Sequence, residues 1–205
     1  MQFGAKMTSE REIPQSVLFG RRAFVASILA SPALFAACAG PTPEQISRRK
    51  YGLDPANFVD GVIVWKSSRT IALVKNGVYV RAYKMDLGFA PEGHKTENGD
   101  GRTPEGLYMI NRRNPNSDYH LSVGISYPND LDREQAQARD VSPGGDIFIH
   151  GGPTRRADKD KPDWTAGCIA VTNDQIEEIW AYVPVGTPIA IYSGIVEVPE
   201  SQPIT

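Results

Sequence analysis

Residues 147–173 read IFIHGGPTRRADKDKPDWTAGCIAVTN, and the rest of the chain can be arranged around this stretch. His150 ends one apolar run, and Cys168 lies between a glycine and a second apolar run. Short apolar runs that are bounded by Gly and Pro indicate buried strands. The charged segment between them is long enough to fold back, so we expect the two side chains to lie close together.

A thiol beside an imidazole suits nucleophilic attack on a carbonyl group. The attacking species is the thiolate, and a neighbouring imidazole lowers the thiol pKa and accepts its proton. Gly167 permits a tight turn, which would let the backbone N–H groups of Gly167 and Cys168 face a developing oxyanion. The alternative is a structural cysteine and an unrelated histidine, since free cysteine is among the most buried residue types.

Two motifs in this stretch resemble the active-site signature of the YkuD-type L,D-transpeptidases. They are His150-Gly-Gly and the run from Trp164 to Ile169, which reads Trp-Thr-Ala-Gly-Cys-Ile. In that family the usual form is His-Gly, followed later by Ser/Thr-His-Gly-Cys-Ile-Arg. This chain departs at Ala166, where the family usually has His, and at Ala170, where it usually has Arg. These departures resemble the YafK-like branch of the family.

The resemblance covers about residues 59–193 and implies a mostly-β fold, a YkuD-like β-sandwich with a few short helices. It implies acyl transfer on peptidoglycan stem peptides, in cell-wall crosslinking or remodelling. Cys168 would attack the carbonyl before a D-amino acid, and His150, oriented by a backbone carbonyl, would be the base. Further residues that would shape the substrate or oxyanion site are Gly151, Trp164, Thr165, Gly167 and His120. No cofactor or metal is expected, because the histidines and the thiol lack zinc spacing.

Two alternatives to a pure transpeptidase remain open. Ala166 and Ala170 replace a hydrogen-bond donor and a cation, so an acceptor held less firmly would let water resolve the thioester. The same site would then act as an L,D-peptide hydrolase that trims or releases wall-linked peptides. In a different class, the chain would be a catalytically silent peptidoglycan-binding lipoprotein.

Residues 1–38 are predicted to be an export signal. Arg21 and Arg22 precede the apolar run from Ala23 to Ala37, which is too short for a bilayer core of about 30 Å and fits a signal peptide. The ending Leu-Phe-Ala-Ala-Cys38 resembles a lipoprotein box, in which Cys38 is lipidated and anchors the periplasmic protein to the outer membrane. The alternative is ordinary signal-peptidase cleavage near Cys38. If Cys38 carries lipid, Cys168 is a single free thiol.

The remaining boundaries follow from composition. We expect a polar linker over 39–57, the catalytic domain over 58–195 and a flexible tail over 196–205. The net charge of −2 offers no basic face, so a nucleic-acid partner is not expected. We expect a monomer.

Local patterns place several elements in the domain. Asn76-Gly77 between two β-rich runs predicts a hairpin, and 131–139 and 175–182 read as short helices, the second capped by Asn173-Asp174. The run from Gly99 to Gly106 resembles a second family signature that lines the cleft, although such Gly and Pro usage also fits a turn-rich loop.

Two further histidines are less clear. His94 is expected to be solvated, and His120 either reaches the cleft or is a half-exposed strand residue.

Overall fold

A computed structural model of the protein describes residues 40–194. The predicted signal, Cys38 and the predicted tail lie outside these residues. The elements in chain order are α1 (Pro43–Tyr51), β1 (Gly61–Trp65), β2 (Thr70–Lys75), β3 (Val78–Lys84), β4 (Gly106–Asn114), β5 (Ser122–Ile125), α2 (Asp130–Ala138), β6 (Phe148–His150), β7 (Ile169–Ala170), α3 (Asn173–Tyr182) and β8 (Pro188–Tyr192). Within 40–194, no helix has the length and apolar character needed to cross a membrane.

The strands form one eight-stranded sheet in the order β3-β2-β1-β8-β4-β5-β6-β7. The central strand β4 pairs with β8 through its first residues and with β5 through its last. The register shifts between Ile110 and Arg112, and such irregularities bend a strand. The sheet therefore curls at β4, and the predicted mostly-β fold with short helices is confirmed.

A core of aliphatic and aromatic side chains packs inside the curled sheet. All four residues of β5 are buried, and α3 contributes Ile176, Ile179 and Trp180 to the core. These three positions share one helix face, which is the spacing that buries an amphipathic helix. Trp180 is thus a core residue.

The predicted hairpin joins β2 and β3 through Asn76 and Gly77. Both residues have positive φ, 50° and 75°, which is the backbone of the two-residue turn that matches strand twist. Lys75 and Val78 pair directly across it.

Helix α3 begins at Asn173, one residue beyond its cap at Thr172. The Thr172 side chain accepts from the Gln175 N–H, and the Gln175 side chain accepts from the Thr172 N–H. The predicted cap at Asn173-Asp174 is therefore wrong by one residue. Asn173 Oδ1 instead accepts the N–H of Gly152 at 2.9 Å, so it holds the turn that follows His150.

Helix α1 lies within the segment that we predicted to be a polar linker. Its small residue Ser47 is buried, and the Ser47 hydroxyl donates to the Glu177 carbonyl of α3 at 2.6 Å. Tyr51 packs edge-on against Tyr182, with ring centroids 5.9 Å apart. The linker prediction is wrong for residues 43–51, because a mostly polar helix docks on the domain through a few contacts.

Candidate active site

His150 ends β6 and is held between two neighbouring strands. It pairs with Ser122 of β5 on one side and with Ala170 of β7 on the other. The residue is 4% exposed. The apolar run before it builds the buried strand, so the imidazole is fixed in the floor of the site.

The ring of His150 has a defined tautomer. Its Nδ1 lies 2.7 Å from the Gly151 carbonyl oxygen. Because a carbonyl only accepts, Nδ1 carries the proton and Nε2 keeps a lone pair. Burial lowers the pKa of His150, since a desolvated imidazole loses its charge more readily. The side chain is therefore a neutral base with an accepting Nε2.

Two aromatic rings hold the imidazole in place. Tyr119 stacks on it with a centroid distance of 4.5 Å, and Trp164 meets it edge-on at 5.5 Å. The Tyr119 carbonyl also accepts the Gly151 N–H at 3.1 Å. The sequence predicted a role for Trp164 and missed Tyr119, whose alternating neighbours indicated only a strand.

Cys168 shares a cleft of about 250 Å³ with His150. The thiol donates to the Asp146 carbonyl at 3.5 Å. The other residues that line this cleft are Asn114, Ser117, Asp118, Tyr119, Ser122, Asp146 and Phe148. His150 and Cys168 therefore line the same opening, while the thiol is hydrogen-bonded to Asp146.

In the resting site, burial favours the protonated form of the Cys168 thiol. Burial raises its pKa, and a hydrogen bond from the Phe148 backbone partly offsets this. We expected the neighbouring imidazole to lower this pKa, and that expectation is wrong for the resting site. A neutral, buried imidazole supplies no positive charge to stabilise a thiolate.

Thr165 ties the nucleophile loop together. Its hydroxyl donates to the Cys168 carbonyl at 2.7 Å and accepts the Gly167 N–H at 3.1 Å. The Gly167 N–H is therefore occupied. The Cys168 N–H makes no hydrogen bond within residues 40–194, so it remains the candidate oxyanion donor.

Both predicted glycines are required by close packing. Gly167 has φ 131°, and a Cβ there would lie 2.6 Å from the Arg102 carbonyl oxygen. A Cβ on Gly151 would lie 2.6 Å from Asn173 Oδ1. Side chains at these positions would push apart the loops that carry Cys168 and His150.

Residues 60–191 match the family described as YkuD, the L,D-transpeptidase catalytic domain. This chain belongs to that family. The match covers the whole curled sheet from β1 to β8 except the last residue of β8, together with the cleft, and the recognition of the family from its two motifs is confirmed.

Individual proteins agree with the family assignment. The protein named "Putative L,D-transpeptidase YafK" of Escherichia coli (strain K12) is 31% identical over 126 residues, which is 58% of this chain and 45% of that protein. The crystal structure of the helical cell shape determining protein Pgp2 from Campylobacter jejuni has a TM-score of 0.53 and 25% identity, covering 67% of this chain and 49% of that one. This chain spans about half the length of both.

His120 of this L,D-transpeptidase domain does not reach the cleft. It has a φ of 72°, and its Nε2 lies 2.8 Å from Glu177 Oε1 on α3. The predicted substrate or oxyanion role for His120 is therefore wrong. The positive φ turns its side chain towards the helix, while the preceding residue, Tyr119, faces His150.

The second signature supports the nucleophile loop from outside the cleft. The Thr103 hydroxyl donates to the Gly167 carbonyl at 2.9 Å, and none of residues 99–106 lines the cleft. The predicted cleft-lining role is wrong, although the segment still contacts the loop that carries Cys168.

His94 is also structural and is not simply solvated. Its Nδ1 accepts the Glu105 N–H at 2.9 Å, and its Nε2 lies 3.2 Å from Asp132.

A salt bridge that the sequence did not reveal fixes the entry to the Trp164–Cys168 loop. Asp163 accepts two hydrogen bonds from Arg69, at 2.8 Å to Nε and 2.6 Å to Nη2, and another from the Leu87 N–H at 3.0 Å. Arg69 holds the pKa of Asp163 below its usual range, against the opposing effect of burial. Among residues 40–194, no cluster of metal-binding side chains is present.

Proposed function

We propose that this protein is a cysteine-dependent acyltransferase, an L,D-transpeptidase that acts on peptidoglycan stem peptides. The observation that carries the proposal is the shared cleft of Cys168 and His150, in which His150 has a fixed tautomer with an accepting Nε2. The family supports the reaction class. The name of Pgp2 links a protein of similar fold to cell shape.

The first half-reaction forms a thioester. Sγ of Cys168 attacks the carbonyl carbon that precedes a D-amino acid, and Nε2 of His150 takes the thiol proton. The Cys168 N–H donates to the oxyanion of the tetrahedral intermediate. When the intermediate collapses, the imidazolium returns the proton to the leaving amine, and the D-amino acid departs.

Proton transfer in this site accompanies attack. Burial raises the pKa of Cys168 and lowers that of His150, so a resting thiolate–imidazolium pair is disfavoured. Catalytic hydrogen bonds often tighten only when substrate is bound. We infer that the Cys168–His150 contact forms in the same way, as the thiol leaves the Asp146 carbonyl.

The second half-reaction consumes the thioester by an amine or by water. An amine of a second stem peptide gives a crosslink, and water gives a trimmed peptide. Ala166 is exposed and Ala170 is buried in β7, so neither places a donor or a cation beside the nucleophile. This favours hydrolysis as a second activity of the same site.

The proposal also includes a cellular location for the protein. Export by residues 1–38 and lipidation of Cys38 would keep the domain at the outer membrane, on the periplasmic side. Replacing Cys38 with Ala should move the protein from the membrane fraction to the soluble periplasmic fraction. Unchanged fractionation would refute the lipid anchor and leave the chemistry untouched.

The experiment that tests the chemistry uses the full chain with a tetrapeptide donor and an excess of a diamino acceptor. Mass analysis of the products should show release of the D-amino acid together with crosslinked or trimmed peptide. Cys168→Ala should abolish both products, whereas Cys38→Ala should keep them, because that variant retains the proposed nucleophile.

Each outcome decides between the candidates. Binding of stem peptides without any turnover would replace the enzyme with a silent wall-binding protein. Exclusive crosslinking would refute the hydrolytic activity, and exclusive trimming would refute the transpeptidase.

A further inference from the structure

The strand that follows the nucleophile, β7, places no cation in the cleft. Ala170 is 2% exposed and exchanges two backbone hydrogen bonds with Asp86. The D-amino acid at the end of a stem peptide nevertheless carries a carboxylate that needs a partner. A positive charge that pairs with it must therefore come from another element around the cleft.

Arg112 of β4 lies at the rim of the cleft. Its guanidinium donates to Asp146 Oδ1 at 2.9 Å and lies 4.4 Å from the ring centroid of Phe148. Asp146 and Phe148 both line the cleft beside Cys168. The positive charge of Arg112 also reaches the nucleophile, since it lowers the pKa of the thiol while Asp146 raises it.

The guanidinium of Arg112 has a fixed orientation, but only some of its N–H groups donate hydrogen bonds. Stacking on Phe148 fixes its plane, and its two side-chain hydrogen bonds go to Asp146 and Asn111. Since a guanidinium has five N–H donors, several remain for a ligand. The side chain of Asp146 is 90% exposed and that of Arg112 is 40% exposed. An exposed ion pair of this kind is held weakly, so another carboxylate can take the place of Asp146.

The spacing fits the donor substrate. A single residue, Asp146, contacts both the thiol and the guanidinium. Its backbone carbonyl accepts from Sγ of Cys168, and its carboxylate accepts from Arg112. In the donor peptide, the scissile carbonyl and the terminal carboxylate are also separated by one residue, a step of about 3.8 Å between Cα atoms. The scissile carbonyl and the terminal carboxylate of the donor can therefore replace the two contacts that Asp146 makes in the resting site.

We propose that Arg112 binds the terminal carboxylate of the D-amino acid that leaves the donor peptide, and that Asp146 occupies this position until substrate arrives. The inference rests on the proposed function and adds a specificity determinant to it. Arg112 supplies from β4 the cation that Ala170 does not supply from β7. Donor peptides with a free C-terminal carboxylate are preferred for this reason.

The test compares two tetrapeptides, one with a free C-terminal carboxylate and one with a C-terminal carboxamide. Their affinities are measured by calorimetric titration of the full chain carrying Cys168→Ala, alone and combined with Arg112→Gln, Arg112→Lys or Arg133→Gln. Arg133 is an exposed arginine of α2 that pairs with Asp130, and it serves as the matched control.

We expect Arg112→Gln to weaken binding of the free acid by about 2- to 5-fold, the range for an ion pair at an exposed site. Binding of the carboxamide should stay unchanged. Arg112→Lys should give an intermediate loss, because lysine keeps the charge and loses the planar fork. Arg133→Gln should bind both peptides as the parent does.

Two results would overturn the inference. Equal weakening of both peptides would show that Arg112 only supports the fold, and unchanged binding of the free acid would place its carboxylate elsewhere. A different result would refute the proposed function. Intact-mass measurement would then show that neither peptide acylates Cys168 of the wild-type protein. Undiminished acylation by the free acid in the Arg112→Gln variant would refute only the role of Arg112.

Discussion

Replacing Thr165 with Val tests whether one hydroxyl holds the nucleophile loop. Valine has nearly the shape of threonine, so packing around this residue, which is 5% exposed, is preserved. The hydroxyl bonds to the Cys168 carbonyl and the Gly167 N–H are lost. The backbone bonds of Thr165 with Leu87 and Phe89, 3.1 and 2.9 Å long, remain, so the loop keeps its entry point.

The expected cost follows from the groups left unpaired. A buried donor or acceptor without a partner costs about 1–3 kcal/mol, and here one of each is affected. Water can reach the half-exposed Cys168 side of the loop, so we expect the free energy of unfolding to fall by about 2–4 kcal/mol. The carbonyl and N–H that flank the nucleophile also become free to rotate, which should slow acylation of Cys168.

Chemical denaturation with linear extrapolation measures the stability change, and intact mass measures the acylation rate. Thr165→Ser is the matched control, because it keeps the hydroxyl and loses one methyl group, worth about 1 kcal/mol. A loss below about 1 kcal/mol for Thr165→Val would contradict the reasoning. An equal loss for the serine variant would show that the methyl group, and not the hydroxyl, matters.

Three further changes probe the rest of the site. As the pH is lowered, acylation of Cys168 should fall only below the ordinary imidazole range, because burial lowers the pKa of His150 and the base must be neutral. A pH–rate profile in which acylation already falls within the ordinary imidazole range would contradict this. A chain that starts at Gly40 should melt at a higher temperature than one that starts at Gly52, which lacks α1; equal melting temperatures would mean that α1 adds no stability. His120→Leu should lower the free energy of unfolding by about 1–3 kcal/mol, since it leaves the buried Glu177 without its closest partner, while acylation persists; a variant that stays folded and loses acylation would return His120 to the site.

The features that could be predicted from the sequence depend on residues that are adjacent in the chain. Asn76-Gly77 makes a hairpin because the two residues adopt the positive φ that the turn needs. The run before His150 forms a strand because its apolar residues are consecutive and bounded by glycine. The tight turn expected at Gly167 also follows from a local motif, and the resemblance assigned His150 and Cys168 to one site.

The features that sequence reasoning missed depend on residues far apart in the chain. Arg69 and Asp163 form an ion pair across 94 positions, and no pattern near either residue marks it. Helix α1 has a polar composition, and its docking rests on Ser47, whose partner is a backbone carbonyl of α3. Asn173 had a plausible local role as a helix cap, but it contacts Gly152 because the turn after His150 packs on the start of α3.

The protonated thiol that burial favours has a consequence for the export proposed above. The thiolate is the form that oxidants and disulfides attack, so reactivity follows thiolate character and exposure. Burial raises the pKa of Cys168, and the thiol donates its hydrogen bond to the Asp146 carbonyl. In the mechanism proposed above, a substrate displaces this contact and brings the thiol under the control of His150 Nε2. The resting contact would then also protect the single free thiol of residues 40–194 while the cleft is empty.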